Sequence, residues 1–425
     1  MTLQGPSALS SQESTVKVIT EGRKSGLPHV VQVRFVSADQ SFFVLGGEGR
    51  SDWVSNALRA GTAKVRTQEL LFHTLVSLVV GEERVRVVHA FASKYGSRIV
   101  KEWYSNPSAC LRLDLQGSPA LRGVVKGEGD ATTTYTEWLA GKKGYYAGVS
   151  EAFDSASEEY DFTISHNYIN TWIRKRSISE LLRLVKPEDT LVEIGCGTGA
   201  EAVEIAKCVS QILATDISEK MIEILRKKIQ ARSLTGKIIP LKISAADIAQ
   251  VSSVVGGTKV QAAYSFNGAL NCEPNLGRFV EGLSHILMPG GHFICSLRNS
   301  FCLSEALSHA VVFQFDRVTP RKTSSIMVST GGKQVPAFPV MVSVGGRDIP
   351  AFYYTPGVFA ELFEGRFTLQ RIIGLPALLP PAYLSDYYVR FKNVGSILEK
   401  FEWLLGGHFP FNRFGDQTLF VFQNR

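Results

Sequence analysis

Between residues 16 and 115, apolar and polar positions alternate with the period of two expected of half-buried strands. Val31, Val33 and Phe35 alternate with Gln32 and Arg34; Ala38-Asp39-Gln40 reads as a turn and residues 42–45 as the return strand, so a hairpin is predicted. Ala63 and Val65 alternate with Lys64 and Arg66, and residues 111–115 alternate again. Residues 76–80 and 85–88 are predicted as two further strands about the polar turn Gly81-Glu82-Glu83. Short strands of this kind leave unpaired edges, which a small antiparallel barrel would close.

From residue 150 the pattern changes to short apolar runs alternating with helical stretches, which predicts a parallel sheet with crossover helices. Strands are expected at residues 190–194, 212–215, 238–243, 262–266 and 292–297. Helices are expected at 200–208 and at 218–229, where Met221, Ile222, Leu225 and Ile229 share one face. A helix at 355–363 and strands at 369–373 and 418–423 complete the series. Residues 116–150, rich in Gly and Thr and weakly periodic, mark a boundary. The expected organisation is a barrel domain over residues 1–118, a linker over 119–149 and an α/β domain over 150–425. Two stretches of that domain, 300–350 and 376–416, are too long for simple links. They are expected to form lids or covers, because long insertions in compact domains tend to carry function.

Composition narrows the class. With 425 residues, 44% hydrophobic and 20% charged, the chain suits two folded domains with real cores. The net charge of +7 comes from 46 Lys and Arg spread thinly along both halves, so no nucleic-acid partner is expected. Six cysteines without CxxC pairing predict neither a zinc site nor disulfides, and a reduced cytoplasmic protein is expected. The first residues lack the basic start and apolar core of a leader, and the apolar run at 70–80 is short and interrupted by His73. Secretion and membrane insertion are therefore not expected.

The strongest chemical signal is Glu193-Ile194-Gly195-Cys196-Gly197-Thr198-Gly199, placed after the first parallel strand and opening a helix. Open α/β sheets bind their ligands there, and the glycines permit a tight turn with close approach of a ligand to the backbone. Asp216 ends the next strand, where a carboxylate can accept both ribose hydroxyls of an adenosine; Ile217 lies beside it. Gly195, Gly197 and Ala200 also satisfy the looser dinucleotide fingerprint, with Asp216 as its ribose acid, so spacing alone leaves a dinucleotide open. Glu193 weighs against that reading: a carboxylate beside the loop would repel a pyrophosphate but attract an ammonium group.

Taken in order, this loop, Asp216, Ala246-Asp247-Ile248 and the turn Leu287-Met288-Pro289-Gly290-Gly291 resemble the class I S-adenosylmethionine-dependent methyltransferases over roughly residues 150–425. The resemblance implies a Rossmann-like, doubly wound, mostly parallel sheet with an antiparallel final hairpin. It implies S-adenosylmethionine as cofactor, bound through Glu193, Gly195, Gly197, Gly199, Asp216, Ile217, Asp247 and Ile248, with Tyr160 covering it. The segment leaving the fourth strand, residues 265–274, would contact cofactor and substrate, with Asn267 the first polar candidate and Asn271 the second. Such enzymes need no universal catalytic residue, and none is assigned. His166, His285 and Arg298 are candidate substrate groups. Tyr383, Tyr387, Tyr388, Phe401 and Trp403 either line a cavity for an apolar or aromatic acceptor or pack the inserted helix onto the sheet.

The N-terminal part has its own resemblance. Thr20 to Gly26, two strands, and then Gly46-Gly47-Glu48-Gly49-Arg50 leading into Ser51-Asp52-Trp53 resemble the split β-barrels of the deazaflavin-dependent nitroreductase family over residues 15–115. That implies a deazaflavin coenzyme or FMN, with backbone N–H groups and Arg50 near its phosphate, although Glu48 opposes an anion. It also implies pairing of two copies through the barrel. Three functions fit these residues: a methyltransferase acting on a small molecule, a deazaflavin- or flavin-dependent oxidoreductase with an auxiliary C-terminal domain, and a ligand-binding scaffold without catalysis.

Overall fold

The computed structural model describes residues 13–22, 25–38, 40–46, 51–67, 70–103, 109–116, 120–121, 144–165, 167–311, 321, 325–330, 333–382 and 392–425. The chain divides into two compact units, Met1–Val125 and Lys126–Arg425.

The first unit runs β1 (Thr15–Glu21), β2 (Pro28–Ala38), β3 (Ser41–Leu45), α1 (Asp52–Ala60), β4 (Thr62–Arg66), β5 (Leu70–Leu78), α2 (Gly81–Tyr95), α3 (Ser97–Trp103), β6 (Cys110–Leu115) and β7 (Ala120–Leu121). Its strands follow the order β4-β1-β2-β3-β6-β5, and β5 pairs back onto β4, so six antiparallel strands close a barrel. Alternation supplies the interior: Val16, Val18, Phe35, Phe42, Val44, Val65, Phe72, Leu111 and Leu113 belong to one buried cluster. A second cluster outside the barrel wall holds Val36, Phe43 and Leu45 against Val87, Phe91 and Val100 of α2 and α3.

One prediction fails here. Residues 85–88, expected as a strand, lie in α2. Val87 and Phe91, four apart, are its buried residues, while Glu82 and Glu83 occupy the first turn, where the helix dipole favours negative charge. Four residues reading Val-Arg-Val-Val fit either period, and only the continuation through Phe91 separates them.

The second unit opens with α4 (Gly144–Ser165) and α5 (Tyr168–Leu182). There follow β8 (Thr190–Ile194), α6 (Ala200–Ile205), β9 (Gln211–Asp216), α7 (Glu219–Ala231), β10 (Ile238–Lys242), a 3-10 turn at Ala245–Gln250, α8 (Val251–Val254), β11 (Val260–Ser265), a 3-10 turn at Ala269–Cys272, α9 (Leu276–Ile286) and β12 (Leu287–Arg298). The chain continues through α10 (Leu303–Val311), β13 (Ile326–Thr330), β14 (Lys333–Val344), β15 (Arg347–Tyr353), α11 (Pro356–Glu361), β16 (Phe367–Leu375), α12 (Lys392–Leu405) and β17 (Gln417–Asn424). The main sheet has the order β10-β9-β8-β11-β12-β17-β16. The first five of these strands are parallel, and β17 runs antiparallel to both β12 and β16.

Each face of this sheet buries its own apolar cluster. Val192 and Ile194 join α4 and α9 on one side; Leu191, Ile212 and Ala214 join α5, α6 and α7 on the other. The strand order reverses direction between β8 and β11, which opens the crevice at their carboxyl ends. The Pro289-Gly290-Gly291 turn is absorbed into β12 as an irregularity, the register with β11 jumping from Val260–Leu287 to Ala262–His292. The first long insertion is not a bare lid: its described part holds α10 and the antiparallel sheet β13-β14-β15. Gly345, at the β14–β15 turn, sits against α4, and the Tyr145 hydroxyl donates to the Pro350 carbonyl (2.8 Å).

Candidate cofactor site

The loop after β8 turns through three glycines, each with positive φ. Close neighbours also crowd a side chain at these positions. A Cβ at Gly195 would lie 2.5 Å from the Ala269 Cβ, and one at Gly199 would lie 2.3 Å from Leu225 Cδ1. At Gly197 it would stand 3.3 Å from the ring of Tyr160, so α4 brings this tyrosine over the loop. Asp216 fastens the loop to β9: Gly197 N–H donates to its Oδ2 and Ser218 N–H to its Oδ1, both at 2.8 Å. Burial raises the Asp216 pKa, and these backbone donors oppose the rise.

Glu193 and Tyr264 face each other in the pairing of β8 with β11 and both are buried. Among the described residues, Glu193 Oε2 and the Tyr264 hydroxyl each lack a well-formed hydrogen bond, although Tyr264 is near enough to oppose part of the rise in the Glu193 pKa. Burial, and then the nearby Glu201, push the Glu193 carboxyl well above the usual range. A buried carboxylate oxygen without a donor costs free energy that a cationic ligand can recover.

Two of the groups around the loop were not singled out from sequence. Glu201, in the first turn of α6, accepts from Arg174 Nε of α5 and from Asn267 Nδ2, both at 2.8 Å. Asn267 adopts a left-handed backbone at the end of β11, and its N–H donates to Ser296 Oγ. Glu273 joins three pieces of chain: it accepts from the Tyr146 hydroxyl (2.7 Å), Asn275 N–H (2.7 Å) and Ala246 N–H (3.1 Å). Glu201 was visible two residues beyond Gly199; Glu273 had no comparable local signal. Asp161, next to Tyr160, accepts from the Thr198 hydroxyl and pairs with Lys228 of α7, each at 2.5 Å.

Thus Tyr160, Glu193, Gly195, Gly197, Gly199, Asp216 and Asn267 surround one loop. Ile217 lies half-buried at the end of β9, with its carbonyl accepting from Ser150 of α4. Asp247 stands on the 3-10 turn after β10, held by the Ser244 hydroxyl (2.7 Å) and by the exposed Arg278 (2.5 Å). Ile248 departs from its expected part in binding the cofactor: it is fully buried, with its Cγ2 close to Gly282 of α9, so it anchors the turn and presents no surface to a ligand.

Asn271 is likewise fully engaged. Its Nδ2 donates to the Phe352 and Arg298 carbonyls, and its Oδ1 accepts from Arg298 N–H, which makes it a pin between loop, β12 and β15. His285 is exposed near the end of α9, which leads into the start of β12, at the opposite edge of the sheet from the crevice. His166, Tyr383, Tyr387 and Tyr388 lie outside the described residues, as do Gly47 to Arg50 of the barrel. Trp403 packs edge-on to Trp172 (6.4 Å) and under the Arg176 guanidinium (3.9 Å). Glu402, on the same helix, accepts from the N–H groups of Ala377, Leu378 and Leu379 and so clamps α12 to the end of β16. Those contacts favour the packing role for Trp403.

Residues 191–291 match the family model described as a methyltransferase domain, the stretch that carries the glycine loop, Asp216 and Asp247. An uncharacterized protein of Methanocaldococcus jannaschii is 27% identical over 171 residues, covering 40% of this chain and 60% of the relative. A demethylmenaquinone methyltransferase of Symbiobacterium thermophilum is 24% identical over 151 residues, covering 35% and 57%. The chain therefore spans less than two-thirds of the length of these curated relatives. Among solved structures, an S-adenosylmethionine-dependent methyltransferase from Mesorhizobium loti aligns at 15% identity with a TM-score of 0.35, covering 58% of this chain and 98% of that one. The family match supports a methyltransferase domain in the second unit. Among the described residues, no helix is long and apolar enough to cross a membrane.

Proposed function

We propose that the second unit binds S-adenosylmethionine across the carboxyl ends of β8, β9 and β11 and transfers its methyl group to a small-molecule acceptor. The observation that carries this reading is the buried Oε2 of Glu193, without a well-formed hydrogen bond among the described residues, beside a crowded loop of positive-φ glycines. That pairing suits a ligand with an ammonium group and disfavours a pyrophosphate, which also argues against the dinucleotide alternative.

Bound S-adenosylmethionine would supply an electrophilic methyl group on sulfonium sulfur. The chain's own residues have the tasks of binding, orientation and exclusion of water. Glu193 would meet the ammonium group. Asp216 keeps lone pairs beyond its backbone bonds for ribose hydroxyls. Asp247 would exchange the exposed Arg278 for the adenine amino group, an exchange of low cost because an exposed ion pair contributes little. Tyr160 would close over the cofactor, and burial keeps its hydroxyl protonated by raising its pKa. Asn267, oriented by Glu201, would border the acceptor side. The methyl acceptor is read as a small molecule.

Parallel calorimetric titrations with S-adenosylhomocysteine and NADH test this reading. Micromolar binding of S-adenosylhomocysteine alone is expected; binding of NADH alone, or of neither, would overturn it.

A further inference from the structure

Arg298 ends β12 at the crevice side of the sheet, and its stem runs past Gly268, the residue after Asn267: a Cβ at Gly268 would lie 3.6 Å from Arg298 Cγ. Behind it lies a sealed charge cluster. Arg321 Nη2 donates to Asp416 Oδ1 (2.6 Å), Arg321 Nε pairs with Glu305 (2.8 Å), and Arg321 Nη1 donates to the carbonyls of Asn299 and Asp416. Among the described residues, Arg298 enters the cluster through one nitrogen, Nη1, at 3.2 and 3.3 Å from the two Asp416 oxygens.

The exposures of the four side chains differ sharply. Asp416 is 0% exposed, Glu305 4% and Arg321 7%, whereas Arg298 is 30% exposed. Arg321 is saturated by acceptors, while Nε and Nη2 of Arg298 carry no bond to the described residues and are not sealed by them from solvent. These two atoms form the edge of the guanidinium that offers two parallel N–H donors, the geometry that grips an oxyanion in bidentate fashion. Glu305 and Asp416 balance the charge of the two arginines, and Asp416 holds the Arg298 guanidinium through Nη1 alone, which leaves its other edge open to an acceptor.

Resting on the methyltransferase reading, we infer that the acceptor carries an oxyanion, a carboxylate or a phosphate, and that the free edge of Arg298 binds it beside the Asn267–Gly268 segment. Arg298 is then a specificity-determining residue. An acid is selected over its neutral amide because the amide cannot accept both donors as an anion does.

The test uses the full chain saturated with S-adenosylhomocysteine and titrated with benzoate, benzamide and phenyl phosphate. At least one anion is expected to bind about tenfold or more tightly than benzamide, and the stronger of the two identifies the oxyanion class. Arg298→Gln should reduce that anion to the level of benzamide while S-adenosylhomocysteine affinity stays within about twofold. Arg298→Lys, which keeps a cation beside Asp416 but loses the paired donors, should retain part of the preference and guards against a folding defect in the Gln variant. Equal binding of benzoate, phenyl phosphate and benzamide, or full anion affinity in both variants, would overturn the assignment. Failure of S-adenosylhomocysteine to bind would instead overturn the reading of the cofactor, and an anion preference dependent on Arg298 would then be read in the free protein.

Discussion

The two units solve the problem of burial differently. In the barrel, the buried polar groups among the described residues are neutral: Thr20, Ser41, Asn56, Thr67 and Thr74. In the second unit Glu193, Glu201, Asp216, Glu273, Glu305, Arg321 and Asp416 are all buried. Burying charge is costly unless partners repay it, so a domain that does so repeatedly is arranged around chemistry or around the loops that support it. The barrel is organised as an apolar core with polar walls; the α/β unit is organised around its crevice.

The strongest way to break this comparison is to damage one unit and read the other. Phe42→Ala empties a fully buried position in the barrel and should cost the barrel about 3–5 kcal/mol in chemical unfolding. S-adenosylhomocysteine affinity should be unchanged; loss of binding would show that the cofactor site depends on the barrel. Next come two glycines with nearly the same backbone. Gly61 has φ +67° and no atom within 4 Å of its would-be Cβ, whereas Gly195 has φ +71° and Ala269 at 2.5 Å. Gly61→Ala should cost only the left-handed strain, about 1–2 kcal/mol. Gly195→Ala should cost more than that and weaken S-adenosylhomocysteine as well; equal costs would remove crowding from the account of the loop.

Asp216→Ala removes the acceptor for Gly197 and Ser218 together with the expected ribose contact. Cofactor affinity should fall by about 1–3 kcal/mol in calorimetry. An unchanged affinity would place the cofactor elsewhere.

The smallest expected effect concerns pH. The folded, ligand-free protein raises the pKa of Glu193 above 4.5, so the folded state binds more protons than the unfolded state in the window just above that value. Stability contributed by this group is therefore full below the window and lost as pH rises through it. Cofactor affinity moves the opposite way, because the ammonium group needs the ionised carboxylate. Glu193→Gln should flatten both dependences relative to the parent in thermal melts and titrations from acid to neutral pH. Parallel profiles for the two proteins would sink the role of Glu193.

Much of the scaffold was legible locally. Glycines 195, 197 and 199 declare a left-handed loop because few other residues tolerate that backbone, and apolar runs of strand length alternating with helices announce the parallel sheet. Misreadings arose where a local pattern was too short or where a side chain's direction depended on distant packing. Val85 to Val88 were ambiguous over one turn. The place of Ile248 beside Asp247 suggests a ligand-facing side chain, yet Gly282, far along the chain, leaves the hollow that it fills.

By itself, then, the amino-acid order determined the backbone: the alternation of the barrel strands, the glycine loop after β8, and the acids ending β9 and following β10. These depend on dihedral preferences and periodicity within a few residues. Only the tertiary structure decided which polar groups are free. Asn271 is consumed by carbonyls from β12 and β15, Glu201 is shared between Arg174 and Asn267, and Arg298 meets an aspartate 118 residues away. Whether a side chain can receive a ligand depends on which partners already satisfy it, and those partners come from strands and helices that adjoin only once the chain is folded.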